Sequence, residues 1–348
     1  MGANDVGLVY DPMYLEHDTG GHVECARRLV AVTSLLQSSG LDKKLTQLKP
    51  RPASQEEIER VHDRGYIAGI RNVAARGGGW LDADTVMSEA SYEVALLAAG
   101  GLITAVEAVS KGQVGAAFAL VRPPGHHATE TNAMGFCLFN NIAVAAHHLL
   151  ASKACERILI VDFDVHHGNG TQDAFYSDPQ VLYFSSHQSP LYPGTGSIED
   201  TGSGAGEGFT VNVPLPPWCG DEEYLRAYQE ILVPVARRFQ PQFILVSSGY
   251  DAHWADGLAA HQVTVSGFAG IVKALKRLSD ECCPGRLAFT LEGGYNLAAL
   301  AASIRATLEV LLGATDVQDP LGKPQGHRRP YSIEELLKAI KRTHRLHQ

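Results

Sequence analysis

Seven short runs of β-branched and aromatic residues punctuate the chain, and none of them alternates apolar with polar positions. They are 6–10 (VGLVY), 116–121 (AAFALV), 157–163 (RILIVDF), 181–185 (VLYFS), 209–213 (FTVNV), 243–248 (FILVSS) and 286–291 (RLAFTL). A strand with one wet face alternates; a continuously apolar strand has to be covered on both faces. Between the runs lie 92–110, 141–152, 221–239 and 266–280, each with apolar residues at helical spacing. The pattern predicts an α/β fold of three layers, α/β/α, with a mostly parallel central sheet. The 348 residues suffice for one large core, and a single domain over 1–348 is expected. Residues 187–208 are too rich in Gly, Pro and Ser for a regular element. Residues 314–331 look like a connector to a last helix at about 332–346. There Ser332 and Glu335 are spaced as a capping box, and Ile333, Leu336, Leu337 and Ile340 share one face. That helix is expected to dock on the body.

Composition removes several function classes. A formal charge of -9 does not suit a nucleic-acid surface, which needs clustered Lys and Arg. No apolar run is expected to reach membrane-spanning length. The start, MGANDVGLVYDP, lacks the basic-then-apolar pattern of a signal peptide. The six cysteines form no CxxC pair, which fits a reducing compartment. A cytoplasmic protein is expected, as a monomer or a homo-oligomer.

The residues that carry chemistry gather at the ends of the apolar runs. The segment ILIVDFDVHHGNG (158–170) ends in two aspartates and two histidines, and side-chain alternation puts Asp162, Asp164 and His166 on one face. LVRPPGHHATE (120–130) delivers His126 and His127, FILVSSGYDAHWAD (243–256) delivers Asp251, and LAFTLEGGYN (287–296) delivers Tyr295. A polar residue after one strand is usually structural. Four strand ends that all deliver His, Asp or Tyr are not needed for folding, and open α/β sheets bind ligands at their carboxyl edge. Asp164, Asp251 and His166 make a three-ligand zinc site with room for water and substrate. Such a metal acidifies water and polarises a carbonyl. A neutral histidine nearby can move the proton, and Tyr295 can donate to a developing oxyanion.

Together these motifs resemble the histone deacetylase and acetylpolyamine amidohydrolase family, of the arginase–deacetylase fold, from about residue 6 to 312. The resemblance implies a Zn2+-dependent amidohydrolase acting on acylated lysine-like or polyamine amines. It implies metal ligands at Asp164, His166 and Asp251, a histidine pair at His126 and His127 with His127 as proton shuttle, and a transition-state tyrosine at Tyr295. Asp162 is the implied partner of the first histidine. Asn169 is that of the second, as in class II-like members rather than class I members, where an Asp is usual. Substrate contacts are implied at Gly135, Phe136, Tyr192, Leu258 and Gly294, with Asp84 as a rim carboxylate. Structural K+ or Na+ is implied at two sites: Asp162, Asp164, His166, Ser185 and Ser186 for one, and Phe175, Asp178, Val181 and Phe209 for the other. The family's His-Pro-Glu appears as His22, Val23 and Glu24, and Arg28 matches the buried arginine that follows; the changes are expected to fall in a loop near the mouth.

Three other readings fit less well. A binuclear manganese ureohydrolase would want a carboxylate where Asn169 stands. An inactive acyl-lysine-binding module would not need His127, Tyr295 and all three ligands. A nucleobase deaminase, hinted at by His22-Val-Glu24, needs a PCxxC that is absent. Among substrates, an acyl-lysine is expected over an acetylpolyamine. The position seven residues after Asp251 is apolar Leu258, and it offers a distant ammonium no counter-charge.

Overall fold

The structure is a computed structural model, described here for residues 5–326 and 328–346. Eight strands form one all-parallel sheet: Val6–Val9 (β1), Thr46–Leu48 (β2), Ala116–Ala119 (β5), Ile158–Asp162 (β6), Val181–Gln188 (β7), Thr210–Leu215 (β8), Phe243–Ser248 (β9) and Leu287–Leu291 (β10). A separate antiparallel ribbon joins Gly78–Trp80 (β3) to Val86–Ser88 (β4). The main sheet runs β2-β1-β5-β10-β9-β6-β7-β8. Every residue of β1, β5, β6, β7, β9 and β10 is buried, as continuous apolarity required.

Two groups of helices supply the cover. Ser91–Ser110 packs on β1, β5 and β10, beside Asn141–Ala151. The helices Arg27–Ser39, Leu297–Leu311 and Val265–Cys282 pack on one another in sequence. The segment expected as one helix over 221–239 is helical throughout, with a wider π turn at Tyr228–Leu232. Five α-helices, Arg27–Ser39, Gln55–Ile58, Arg64–Ala75, Asn169–Phe175 and Leu297–Leu311, were not singled out by the sequence patterns, nor were β2, β3 and β4. The three strands have only three residues each, too few to register a period.

Two expectations need correction. Ser91–Ser110 is long and apolar enough to span a bilayer by length and composition, whereas no such run was expected. Its apolar window is 72% buried, so its apolarity is that of a core helix. The last helix is Glu334–Thr343, and it docks through buried Ile333, Leu337 and Ile340 with Leu336 half-buried. The capping box does not form. Burying Ile333 makes it the residue before the first turn, so Ser332 Oγ accepts only the Glu334 amide (3.3 Å) and Glu335 meets Lys338 (3.0 Å).

The order of the sheet positions the site. β5, β10, β9 and β6 are adjacent and parallel, so the four strand ends that carry His, Tyr and Asp residues lie side by side on one edge.

Helix packing under that edge is close enough to test. A Cβ on Gly100, within Ser91–Ser110, would sit 1.9 Å from the Arg51 carbonyl oxygen, a backbone atom that cannot swing away. Gly100→Ala should therefore destabilise the protein by about 1–3 kcal/mol. Gly69, inside Arg64–Ala75, has open space where a Cβ would go, so Gly69→Ala should stabilise it by up to about 1 kcal/mol. Chemical denaturation of both variants would expose a wrong sign for either.

Candidate active site

The site starts at the end of β6. Beyond Asp162 the chain bends through residues 164–166, with Phe163 and Val165 in the hydrophobic core and the Asp164 and His166 side chains in contact with each other. His166 Nδ1 lies 3.1 Å from Asp164 Oδ1 and 3.2 Å from Asp251 Oδ2. One donor atom from each of Asp164, His166 and Asp251 falls within 4.8 Å of the other two. The backbone fixes the carboxylates: Asp251 Oδ1 accepts the Val165 amide (3.0 Å) and Asp164 Oδ2 accepts the Gly293 amide (2.8 Å). Asp251 Oδ2 is buried and makes no well-aligned hydrogen bond, its ion-pair contact being His166 Nδ1.

These two buried carboxylates repel. Burial, with Asp164 alongside, pushes Asp251 up to about 6 against the pull of His166. A buried carboxylate oxygen with no well-aligned hydrogen bond, a second carboxylate and an imidazole converging on one point form the donor set of a divalent cation, and they fit one. The glycines around them keep the space open. A Cβ on Gly249 would lie 1.9 Å from Asp164 Oδ2, and one on Gly293 would lie 2.2 Å from Asp251 Oδ2 and 2.6 Å from Asp164 Oδ2.

The histidine pair comes from the loop after β5. It is held by Glu292, at the end of β10, whose Oε2 accepts the Gly125 amide (2.7 Å) and the His126 amide (3.2 Å). The two rings lie 4.0 Å apart between centroids. Their partners differ in charge. His126 Nδ1 meets Asp162 Oδ2 at 3.0 Å, while His127 Nδ1 meets Asn169 Oδ1 at 2.8 Å. Burial alone would lower His126, but Asp162, Asp164 and Glu292 together outweigh it and raise the ring to about 10. Burial drives His127 well below its ordinary value, with the charges of His126 and His166 adding to the effect. An amide oxygen only accepts, so His127 Nδ1 carries the proton and Nε2 keeps a free lone pair.

Tyr295 follows β10 across Gly293 and Gly294. Asp256 Oδ2 accepts the amides of Tyr295 (2.7 Å) and Asn296 (2.9 Å), and Arg28 lies 4.9 Å over the phenol ring. Arg28 also donates to the carbonyls of Gly294 (2.7 Å) and Glu292 (2.5 Å), so the Gly294 carbonyl faces the scaffold. Burial raises the Tyr295 phenol well above 10 although Arg28 opposes it, leaving a protonated donor.

Glu24 requires correction: it is not near the mouth. It is fully buried, salt-bridged to Arg28 (3.0 Å) and to both nitrogens of the Arg122 fork (2.6 and 2.8 Å). Two guanidiniums in a dry site need a carboxylate between them, and that fixes its place.

At the rim, Phe136 meets Tyr295 edge-on (5.7 Å) and His22 edge-on (4.5 Å), and Tyr192 meets His127 edge-on (5.2 Å). Gly135 at φ 55 is required there, since a Cβ would strike the His127 ring at 2.3 Å. Asp84 is half-buried and linked to this wall: its Oδ1 accepts from Thr85 Oγ1 (3.1 Å), which itself accepts the Phe136 amide (3.1 Å). Leu258 is exposed, with its amide on Asp256. Of the residues suggested for bound monovalent cations, Ser186 Oγ is buried without a partner, while Ser185 Oγ is bonded to His187. The carbonyls of Phe175, Asp178 and Phe209 accept the amides of Asp178, Val181 and Tyr183.

Sequence reading missed Glu292, Arg122 and Asp256. Each was visible only as a charged residue at the end of an apolar run, in LEGGYN, LVRPPG and DAHWAD.

A parallel sheet whose carboxyl edge gathers an Asp-His-Asp donor set, a histidine pair and a tyrosine defines a hydrolase of the arginase–deacetylase fold. Residues 22–311 match the histone deacetylase domain, and the chain belongs to the histone deacetylase family. It is 39% identical to histone deacetylase 14, chloroplastic, of Arabidopsis thaliana, over 99% of this chain and 85% of that protein. It is 42% identical to a probable deacetylase of Archaeoglobus fulgidus, over 84% of this chain and 81% of the other. A histone deacetylase-like amidohydrolase of Pseudomonas aeruginosa is 41% identical over 86% of this chain and 80% of its own length. The crystal structure of the HDA15 HD domain superposes with a TM-score of 0.89 at 34% identity, covering 99% of this chain and 95% of that one.

Gly293→Ala forces a methyl group into both ligand carboxylates. Bound transition metal per chain, read by elemental analysis, should fall well below that of the parent while the far-ultraviolet circular dichroism stays unchanged. Full metal content in the variant would show that the carboxylates are free to move apart.

Proposed function

We propose that the protein is a zinc-dependent deacylase that hydrolyses the amide of an acylated lysine-like amine. The observation that carries this reading is the convergence of buried Asp164, His166 and Asp251 on one point, with no well-aligned hydrogen bond to Asp251 Oδ2 and an uncharged His127 beside them. Two hard carboxylates and one imidazole in a closed group of three suit zinc with open positions. Held by Asp164, His166 and Asp251, zinc supplies Lewis acidity, polarising an amide carbonyl and acidifying water. His127 accepts the water proton at Nε2 and returns it to the leaving nitrogen, because Asn169 occupies Nδ1 and adds no charge that would hold the proton there. His126, charged by Asp162, contributes fixed positive potential. The Tyr295 hydroxyl donates to the oxyanion. Phe136 and Tyr192 line the approach with aromatic faces suited to a methylene chain. The unpartnered Ser186 Oγ supports a monovalent cation, K+ or Na+, behind the ligand strand. Three carbonyls of the second suggested group, those of Phe175, Asp178 and Phe209, already accept backbone amides, and they lend no comparable support.

The division of labour in the histidine pair has a pH signature. A base works only when unprotonated, so the acid limb of the kcat/KM profile follows its pKa. Asn169→Asp replaces a neutral partner with a charged one, raises the His127 pKa, and should move that limb to higher pH by about one unit or more. An unmoved limb would assign the base to another group.

The substrate class is tested by a panel of acetyl-lysine peptides, longer acyl-lysines, acetylputrescine and acetylspermidine. The exposed apolar Leu258 gives a distant ammonium no partner, and Glu24 is buried between two arginines. Acetyl-lysine peptides should therefore be preferred, and Leu258→Glu should raise acetylpolyamine turnover relative to peptide. Tenfold better turnover of acetylspermidine by the unmodified protein would overturn the preference and leave the metal chemistry standing.

A further inference from the structure

A second cleft, of about 550 Å³, opens between Trp218, Trp254, the segment Ala259–Gln262 and the strap that precedes the last helix. Its lining contains two cations, Lys323 and Arg328, and no Asp or Glu. That is unusual in a chain of formal charge -9. Neither cation has a carboxylate partner among the described residues. The neighbouring Asp319 is spent on backbone, accepting the amides of Leu321 (3.1 Å), Gly322 (2.7 Å) and Ser266 (3.2 Å).

The cleft is pre-arranged. Gln262 clamps the strap at Arg328, accepting its amide (3.1 Å) and donating to its carbonyl (2.8 Å). The same Nε2 reaches the Trp218 carbonyl at 2.7 Å. Trp254 Nε1 donates to the Gly322 carbonyl at 2.8 Å. The Arg328 guanidinium stacks 4.3 Å over the Trp218 ring. A stacked guanidinium keeps its in-plane N–H donors free, and that fork matches a carboxylate. Trp218 holds a left-handed φ of 75, a conformation that costs energy in a non-glycine residue and orients the indole.

The cleft also adjoins the catalytic edge. Ala259 and Ala260, on its wall, directly follow Leu258. The Ala260 amide donates to Gln188 Oε1 (2.8 Å), and the Gln188 amide donates to the carbonyl of Val165, the residue between Asp164 and His166 (2.8 Å). Two hydrogen bonds thus separate the cleft wall from the backbone that carries the metal ligands.

We propose that this cleft is an accessory substrate subsite, which takes the carboxylate of an acidic side chain carried on the same peptide as the acylated lysine. The inference rests on the lysine-directed reading above, and it adds sequence preference to it. Lys323 and Arg328 supply the charge, and the indoles of Trp218 and Trp254 exclude water beside it.

The test walks one Glu along an otherwise neutral acetyl-lysine peptide, with the matched Gln peptide as reference at each position, using the whole chain loaded with zinc. At one position, or two adjacent ones, the Glu peptide should have a kcat/KM roughly threefold to tenfold higher. That ratio should shrink in 0.5 M salt and fall to about one in Lys323→Gln/Arg328→Gln. No preferred position, or a preference that survives the double substitution, overturns the subsite. A second measurement separates this inference from the substrate reading. A Glu-containing peptide without acyl-lysine is titrated against the indole fluorescence of the protein. A saturable change that the double substitution removes supports the cleft even where no acetyl-lysine peptide is turned over. No change, with no turnover, overturns it.

Discussion

Four carboxylates, Asp162, Asp164, Asp251 and Glu292, are buried at one edge of one sheet, and the rest of the site is arranged around the cost of putting them there. A lone ionised carboxylate in a dry interior is penalised by many kcal/mol unless something answers its charge. Each is answered differently. Asp162 takes an imidazole; Asp164 takes backbone amides and His166; Glu292 takes two loop amides and a serine hydroxyl. Asp251 is answered incompletely, and the free oxygen faces the other metal-ligand candidates. A divalent cation at that point would answer the remaining charge.

A second charged cluster, Glu24 between Arg28 and Arg122, is saturated by its own side chains and needs no metal ion. Burial would raise Glu24, but the two arginines more than reverse this and hold it well below the ordinary carboxylate range. Arg28 then spends its remaining donors on the carbonyls of Glu292 and Gly294, which bracket the glycines that lead to Tyr295. Removing one member would leave a buried charge unpaired, so the triad works as a rigid bracket for the tyrosine loop. One buried cluster is open toward ligand and the other is closed.

The sheet and the site core were legible in the sequence for a shared reason. Continuous apolar runs reported strands covered on both faces, and residues that break such a run at its carboxyl end stand out. Asp162, Asp164 and His166 were readable as a set because they stand close together in sequence at the end of one strand. Arg122, Asp256 and Glu292 were not readable, since their roles depend on partners far away in sequence. Glu292 holds an amide 167 residues distant, and Arg122 meets Glu24 at a separation of 98. Glu24 was misplaced for the same reason: Val23 before it is exposed, and Arg122, one of the two arginines that hold it inside, lies far away in sequence. The last helix starts at Glu334, two residues beyond its expected first residue, because burying Ile333 overrode the preference of Ser332 for the capping position.

Chemistry and selectivity sit on differently constrained parts of the chain. Gly249 and Gly293 can hold nothing larger without striking the ligand carboxylates, and Gly135 nothing larger without striking His127. Those positions are fixed by van der Waals radii. Leu258, Tyr192 and Asp84 face solvent in part, on loops whose backbone is pinned at a few points: Leu258 and Ala260 by Asp256 and Gln188, and Asp84 beside the Thr85–Phe136 link. A side chain there can change without disturbing the pins. Substrate choice is therefore free to vary at the rim while the catalytic edge stays constant, a separation that follows from the scaffold lying on strands and the rim on loops.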